Sequence, residues 1–149
     1  MGLQDKVMEQ MKTAMKAKDK VALESHRAIK SALLLAQTES GAISDVSEEE
    51  EIKLVQRLVK QRKDSAAIFM EQGRNDLAEP ELAQVAVIEK FLPEQMSESE
   101  IEKVVLQTIG TTGADSMKDM GKVMGMVSKT LAGKADGKTI SNIVKRNLK

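Results

Sequence analysis

Apolar residues recur every three or four positions along most of this chain, with charged and polar residues between them. This spacing collects apolar side chains on one side of an α-helix, so the pattern predicts amphipathic helices rather than strands. In the first helix, Met8, Met11 and Met15 have this spacing and are predicted to face the core. Seven helices are predicted, over residues 3–18, 21–39, 48–72, 77–92, 98–109, 116–131 and 139–148.

The next two helices have similar apolar stripes. Their predicted core-facing residues are Ala22, Ile29, Leu33 and Ala36, followed by Ile52, Val55, Val59, Ala66 and Phe69. Two helix starts also carry a capping box, in which a serine precedes a glutamate by three residues: Ser47 with Glu50, and Ser97 with Glu100. The run Glu48–Glu51 places negative charge at the positive end of a helix dipole, which favours a helix start there.

The two prolines help to divide the chain. Gly73 is predicted to end the third helix, and Pro80 interrupts the first turns of the fourth, so that its start is not defined by the pattern. Pro93 closes the fourth helix, just before the second capping box. We therefore predict a helical amino-terminal domain over 1–93 and a compact three-helix domain over 94–149.

The composition agrees with an all-α fold. The 149 residues include 10 Met, 2 Phe, no Trp and no Tyr, whereas strands favour aromatic and β-branched residues. The absence of cysteine excludes disulfides and thiolate sites. No apolar run has the length of a membrane span, and no signal-peptide pattern is present, so we expect a cytoplasmic protein that does not enter a membrane.

The formal net charge of zero conceals an uneven distribution. Residues 39–102 carry seven Lys and Arg against sixteen Asp and Glu, whereas residues 103–149 carry nine against three. A basic carboxyl-terminal segment is typical of proteins that bind polyanions, although an ordinary solvated surface has the same composition.

The sixth predicted helix separates its charges from its apolar residues. At about 100° per residue, Lys118, Lys122 and Lys129 share one side, and Val123 and Val127 lie opposite. Two glycines, Gly121 and Gly125, lie beside the lysines. A glycine inside a helix lowers the stability of the helix by about 1 kcal/mol relative to alanine, so the presence of two glycines needs an explanation. Close packing against another helix is one explanation. A flat, lysine-flanked surface that admits a phosphodiester backbone is the other.

The seventh helix and the segment before it repeat this arrangement. Lys138, Lys145 and Lys149 lie on one side of the helix, with Arg146 adjacent. The preceding sequence "AGKADGK" resembles a nucleotide-binding phosphate loop, but its glycines are too closely spaced and it follows a helix rather than a strand. We interpret it as an exposed turn in which Gly133 follows a helix end, Asp136 or Thr139 caps the next helix, and Lys134 adds to the basic surface.

We find no catalytic constellation, cofactor motif or metal site in the sequence. His26 is the single histidine, and no cysteine or paired acid lies beside it in the sequence. The Glu48–Glu51 side chains are consecutive on a helix and point in different directions, which does not suit a shared metal ion. We therefore expect no catalytic residue, no metal and no cofactor.

The sequence nevertheless resembles a known family over essentially its whole length. The stretch "EEEEIKLVQRLVKQRKDSAAIFMEQGRNDLAEPELAQVAVIEKFLP" and the later "DMGKVMGMVSKTLAGKADGKTISNIVKRNL" resemble the YqeY-like (GatB/YqeY) family. Pro80 departs from the family pattern, in which we expect a residue that favours helix. The most specific matches are Arg62–Ser65, Gly73–Leu77, Phe91–Pro93, Met120–Gly125 and Gly133–Lys138.

The resemblance implies an all-α protein whose second part is similar to the tail domain of GatB. GatB is a subunit of the glutamine-dependent amidotransferase that acts on misacylated glutamyl- and aspartyl-tRNA, and its tail is a helical appendage thought to touch tRNA. The resemblance carries this role to Lys118, Gly121, Lys122, Gly125, Lys129, Gly133, Lys134, Asp136, Gly137 and Lys138. Family labels also extend carbon–nitrogen ligase activity with glutamine as amide donor to stand-alone members.

Three hypotheses follow. The first is an accessory module that binds tRNA or another structured RNA through phosphate contacts. The predicted site comprises Lys118, Gly121, Lys122, Gly125, Lys129, Lys134, Lys138, Lys145 and Arg146. The second is participation in tRNA-dependent amide transfer within a larger complex, with aminoacyl-tRNA synthetase or amidotransferase subunits as partners. The third is a protein-interaction adaptor that uses the acidic amino-terminal domain.

Overall fold

The computed structural model describes residues 2–39 and 46–148, and these contain seven α-helices and no strand. The all-α prediction is therefore confirmed. Two short 3₁₀ turns, Glu89–Phe91 and Met117–Asp119, accompany the helices. The helices are α1 (Leu3–Ala17), α2 (Lys20–Glu39), α3 (Glu48–Glu71), α4 (Asn75–Ile88), α5 (Glu98–Thr112), α6 (Met120–Thr130) and α7 (Gly137–Asn147).

The chain divides into two compact units, one ending at Leu92 and the other beginning at Pro93. In the first unit α1 packs on α2, while α4 packs on both α2 and α3. Its buried core consists of Leu3, Val7, Ile29, Leu33, Leu54, Val55, Val59, Val85 and Ile88. None of the described helices combines the length and the apolar composition needed to cross a membrane.

The buried side of α1 differs in part from the prediction. Leu3, Val7 and Ala14 are buried and Met11, as predicted, packs against the core, whereas Met8 and Met15 are exposed. Both sets of residues have helical spacing, so α1 has two apolar sides, and packing against α2 selects the one with Leu3 and Val7.

Both predicted capping boxes are formed. The Ser47 hydroxyl accepts a hydrogen bond from the Glu50 N–H at 3.2 Å, and the Glu50 carboxylate accepts one from the Ser47 N–H at 3.0 Å. The bond from the Ser47 backbone stabilises the ionised Glu50 carboxyl and lowers its pKa below the ordinary value. Ser97 and Glu100 make the same pair of bonds, each at 3.3 Å.

The fourth helix begins earlier than predicted and continues through Pro80. It starts at Asn75 rather than near Leu77, and it ends at Ile88, where the 3₁₀ turn takes over. Proline has no N–H to donate to the carbonyl four residues before it, so α4 lacks one backbone hydrogen bond at Asp76. The packing of α4 on α2 and α3 holds the helix together across this point.

In the second unit, α5, α6 and α7 pack against one another. The predicted turn from Gly110 was wrong, because α5 continues through Gly110 to Thr112 before Gly113 ends it. The sixth helix was predicted from residue 116, but a 3₁₀ turn comes first and α6 begins at Met120. The core of this unit is formed by Ile101, Val105, Val123, Val127, Leu131, Ala135, Ile140, Ile143, Val144 and Leu148.

Candidate nucleic-acid interface

The α6 helix exposes the residues that the sequence placed opposite its apolar side. Val123 and Val127 are fully buried in the core of the second unit, whereas Gly121, Lys122, Gly125 and Lys129 are exposed. We call these four exposed residues the α6 glycine–lysine face. Since apolar residues hold the other side of α6 against α5 and α7, this face lies open to solvent.

The two glycines of this face do not serve close packing within the described parts of the chain. A Cβ atom added at Gly121 or at Gly125 would have no described heavy atom within 4 Å beyond the local backbone. Neither residue has a positive φ, so an alanine fits the backbone at both positions. Of the two explanations for the glycine pair, close packing therefore loses its support as far as the described residues are concerned.

Lys118 is exposed but does not belong to the α-helix. It lies in the 3₁₀ turn Met117–Asp119, so its predicted position on the α6 wheel was inexact. Asp119, at the end of this turn, accepts a hydrogen bond from the Asp115 N–H at 3.3 Å.

The segment between α6 and α7 is a hydrogen-bonded turn. The Lys134 N–H donates to the Leu131 carbonyl at 2.8 Å, and Gly133 adopts a φ of 79°, which side chains rarely allow. Gly133 was predicted to be the C′ residue, the first one after the helix cap; since Leu131 caps α6, Gly133 lies one position beyond C′. The Lys134 side chain projects from this turn and is exposed.

Two residues from the start of the second unit hold this turn in place. The Gln95 side-chain amide donates to the Gly133 carbonyl at 2.7 Å and to the Pro93 carbonyl at 2.8 Å. The Met96 N–H donates to the Lys134 carbonyl at 2.9 Å. Sequence reasoning missed Gln95, because nothing in the local pattern signals a contact across 38 residues.

The α7 helix begins at Gly137, two residues earlier than predicted, with Asp136 as its cap. The Asp136 carboxylate accepts a hydrogen bond from the Thr139 N–H at 3.2 Å, which decides between the two proposed caps. Lys138 and Lys145 are both exposed. They are seven residues apart, which places them within about 20° of each other around the helix.

Arg146 is engaged within the unit, unlike these two lysines. Its guanidinium lies 3.5 Å from the Glu102 carboxylate of α5. The side-chain amide of the neighbouring Asn147 donates to the same carboxylate at 3.2 Å. Arg146 therefore faces α5, about 100° around the helix from Lys145. The predicted contribution of Lys149 lies outside the described residues.

None of the six lysines of the predicted site forms an ion pair with a described carboxylate. No carboxylate of a described residue lies within 4.0 Å of the side-chain nitrogen of Lys118, Lys122, Lys129, Lys134, Lys138 or Lys145. In the first unit, by contrast, three lysines and an arginine do form ion pairs: Lys53–Glu49, Lys60–Asp64, Lys63–Glu89 and Arg74–Asp76. Apart from Arg146, which pairs with Glu102, the described basic side chains of α6, α7 and the adjoining turns have no ion-pair partner among the described residues.

The other chemical candidates do not form a site. His26 is buried and its ring forms a T-shaped pair with the ring of Phe91, with ring centroids 5.5 Å apart. Within the described part of the chain, no three His, Asp or Glu side chains lie close enough to hold a metal ion. Glu49 of the Glu48–Glu51 run pairs with Lys53 at 3.2 Å, and Glu50 takes part in the capping box.

Two comparisons with known proteins agree on the kinship of the chain. A family described as Yqey-like protein matches residues 4–148. The chain is also 30% identical over 127 residues to a protein of Pyrenophora tritici-repentis named altered inheritance of mitochondria protein 41, mitochondrial. That match spans 84% of this chain and 68% of the relative. The chain belongs to the YqeY-like family.

Proposed function

We propose that the carboxyl-terminal unit binds structured RNA, with tRNA as the preferred ligand, and that the protein is an accessory to tRNA-dependent amidation. The observation that carries this proposal is the combination of six exposed lysines, none in an ion pair with a described residue, and an open helix face with two glycines. Lysines neutralise phosphates, and the glycines let a sugar–phosphate backbone approach the helix closely.

The composition of this unit favours structured RNA over a single strand. Sequence-tolerant binding of single strands relies on aromatic side chains that stack on bases. Residues 94–149 contain no Phe, Tyr or Trp. The contacts we propose are therefore made to phosphates and to the shape of a folded RNA.

The test is fluorescence anisotropy of labelled tRNA with the full chain across a salt series. Phosphate contacts release counterions, so we expect the logarithm of the binding constant to fall linearly with the logarithm of salt. Replacing Lys122 and Lys129 with glutamine should weaken binding and reduce that slope. The control is the double replacement of Lys53 and Lys60, which removes the same charge from exposed, paired lysines of the first unit. Equal effects of both pairs, or no binding to tRNA at low salt, would contradict the proposal.

A role in amide transfer, with glutamine as the amide donor, requires catalytic subunits supplied by a larger complex. The partners implied are amidotransferase subunits or an aminoacyl-tRNA synthetase. We propose this assignment on kinship alone, and co-purification of such a subunit with the full chain would test it.

An adaptor function is the second candidate, favoured by exposed apolar side chains on the first unit. Leu34 and Leu35, adjacent on α2, are 46% and 60% exposed. Replacing both with serine should abolish a protein contact made by this surface and leave tRNA binding unchanged. Affinity capture with the two forms of the chain would separate this function from RNA binding.

A further inference from the structure

Four exposed lysines surround the turn that joins α1 to α2. Lys12 and Lys16 are one helical turn apart on α1, Lys18 follows the end of α1, and Lys20 is the first residue of α2. We call these four residues the lysine tip. Among the described residues, no carboxylate lies within 4.0 Å of their side-chain nitrogens. The acid inside the turn, Asp19, accepts a hydrogen bond from the Ala22 N–H at 3.1 Å and so caps α2.

The backbone at Lys18 has a conformation that ordinarily selects glycine. Lys18 has a φ of 56°, and it is the one described non-glycine residue with a positive φ. Its N–H donates to the Met15 carbonyl, and the next N–H donates to the Ala14 carbonyl, which is the Schellman arrangement. The corresponding residues that end α3 and α5 are Gly73 and Gly113. A lysine at this position therefore carries a conformational cost that a glycine would avoid.

The position of Lys20 is also unfavourable by local criteria. It lies at the amino-terminal end of α2, where the helix dipole favours negative charge, and apart from the capping Asp19 no acidic residue lies in or immediately before the first turn of α2. Two lysines of one turn are thus placed against local preference. Such departures from the locally favoured residue are expected at functional surfaces.

We propose that the lysine tip is a second contact surface for the phosphodiester backbone of RNA, in the first unit of the chain. The inference goes beyond the carboxyl-terminal interface and rests on the RNA binding proposed above. Lysines at four positions around one turn offer several donors to successive phosphates, and none of these donors is occupied by a described carboxylate.

RNA fits this surface better than a lipid bilayer does. Peripheral helices bind membranes by burying a wide apolar face in addition to their charge. The buried apolar residues of α1 and α2, Leu3, Val7, Ile29 and Leu33, pack in the core of the first unit. Near the turn, Met15 and Val21 are the exposed large apolar side chains that remain.

The test uses the full chain, labelled unfractionated tRNA and the same salt series. Lys16→Gln with Lys20→Gln should weaken binding and reduce the slope of log affinity against log salt by about 1.4–1.8 in total, as expected for two lost phosphate contacts. Lys53→Gln with Lys60→Gln is the matched control, since it removes two exposed charges from the same unit. An equal loss of affinity in the control would show that the effect depends only on the net charge of the protein, and would overturn the proposal. An unchanged affinity and slope in the tip variant would overturn it too.

The failure of this proposal is distinguishable from the failure of the carboxyl-terminal interface. If Lys122→Gln with Lys129→Gln weakens binding while the tip variant does not, the tip proposal fails and the interface stands. If the tip variant alone weakens binding, the tip stands and the carboxyl-terminal assignment fails. Sedimentation with phosphatidylserine–phosphatidylcholine vesicles is the last arm. If vesicle binding depends on Lys16 and Lys20 while RNA binding does not, the ligand of the lysine tip is a membrane rather than RNA, and the proposal is overturned.

Discussion

The ring of His26 meets the ring of Phe91 edge-on, at an interplanar angle of 85°. His26 is only 5% exposed, and its Nδ1 atom is buried without a described hydrogen-bond partner. A neutral imidazole tolerates this environment, because an unprotonated Nδ1 has no proton to donate. An imidazolium would bury an unsatisfied N–H and a positive charge.

This environment predicts that mild acid destabilises the first unit. Burial lowers the pKa of His26 below its usual 6.5; the charge of Lys90 acts in the same direction, and Asp19 opposes both. The unfolded chain therefore binds a proton as the pH falls through 6.5, while the folded chain does not, and the free energy of unfolding decreases. Each unit of pKa lowering corresponds to a loss of about 1.4 kcal/mol at most.

Urea denaturation at pH 7.5 and pH 5.5 measures this effect. His26→Leu removes the titrating group, and the sequence contains no other histidine. The variant should therefore lose the dependence on pH in this range. A decrease of the same size in His26→Leu would show that another group is responsible.

The helices and the starts of α3 and α5 could be predicted from the sequence because their signals are local, whereas α4, α6 and α7 begin at Asn75, Met120 and Gly137 rather than at their predicted starts. Ser47 with Glu50 and Ser97 with Glu100 act within one turn, and the structure has both boxes. The buried side of α1 could not be predicted in the same way. Its two apolar sides have the same periodicity, and only contact with another helix distinguishes Val7 from Met8.

The candidate site was predictable as a pattern of charges but not as a set of contacts. The helical spacing of Lys122, Lys129 and the two glycines of α6 predicted that these residues share one exposed face. The pairing of Arg146 with Glu102 and the clamp from Gln95 onto Gly133 join residues far apart in the chain. Contacts of this kind depend on how helices pack, which periodicity within one helix does not encode.

The open surroundings of Gly125 predict opposite effects on stability and on binding. Gly125→Ala should stabilise the second unit by about 1 kcal/mol, since alanine favours helix and the added methyl group meets no described atom. The same methyl group should weaken tRNA binding if the backbone of the RNA lies against this face.

Gly110 provides the matched control. It is an exposed helical glycine of α5 with equally open surroundings among the described residues. Gly110→Ala should leave the affinity for tRNA unchanged. Urea denaturation and anisotropy on the same samples check both quantities, and an unaltered affinity in Gly125→Ala would remove this glycine from the interface.

The hydrogen bonds that the Gln95 side chain donates to the Pro93 and Gly133 carbonyls predict that replacing Gln95 destabilises the second unit locally. Gln95→Ala removes hydrogen bonds to the carbonyls of Pro93 and Gly133, and at about 0.5–1.5 kcal/mol each the second unit should lose about 1–3 kcal/mol. Amide hydrogen exchange should accelerate at Met96, whose N–H bonds the same turn through the Lys134 carbonyl. Gln107→Ala, at an exposed position of α5, controls for the loss of a surface amide. Equal exchange rates in the two variants would contradict a clamping role.

The Asp136 carboxylate has two effects, on the capping of α7 and on the local charge, and two replacements separate them. The carboxylate caps α7 by accepting from the Thr139 N–H, yet it also places a negative charge between Lys134 and Lys138. Asp136→Asn keeps an acceptor of similar capping strength, so the free energy of unfolding should change little. Asp136→Ala removes the acceptor and should cost about 1 kcal/mol.

The affinity for tRNA should not follow the stability of these two variants. Both replacements remove the charge that repels phosphate, so both should strengthen binding at low salt, and the gain should diminish as salt screens the repulsion. Asp136→Asn isolates the electrostatic effect, because its cap is intact. Anisotropy at two salt concentrations, with denaturation of each variant, makes the measurement. An affinity for tRNA that is unchanged in Asp136→Asn at low salt would place the phosphates away from the turn between α6 and α7, and would confine the interface to the α6 glycine–lysine face.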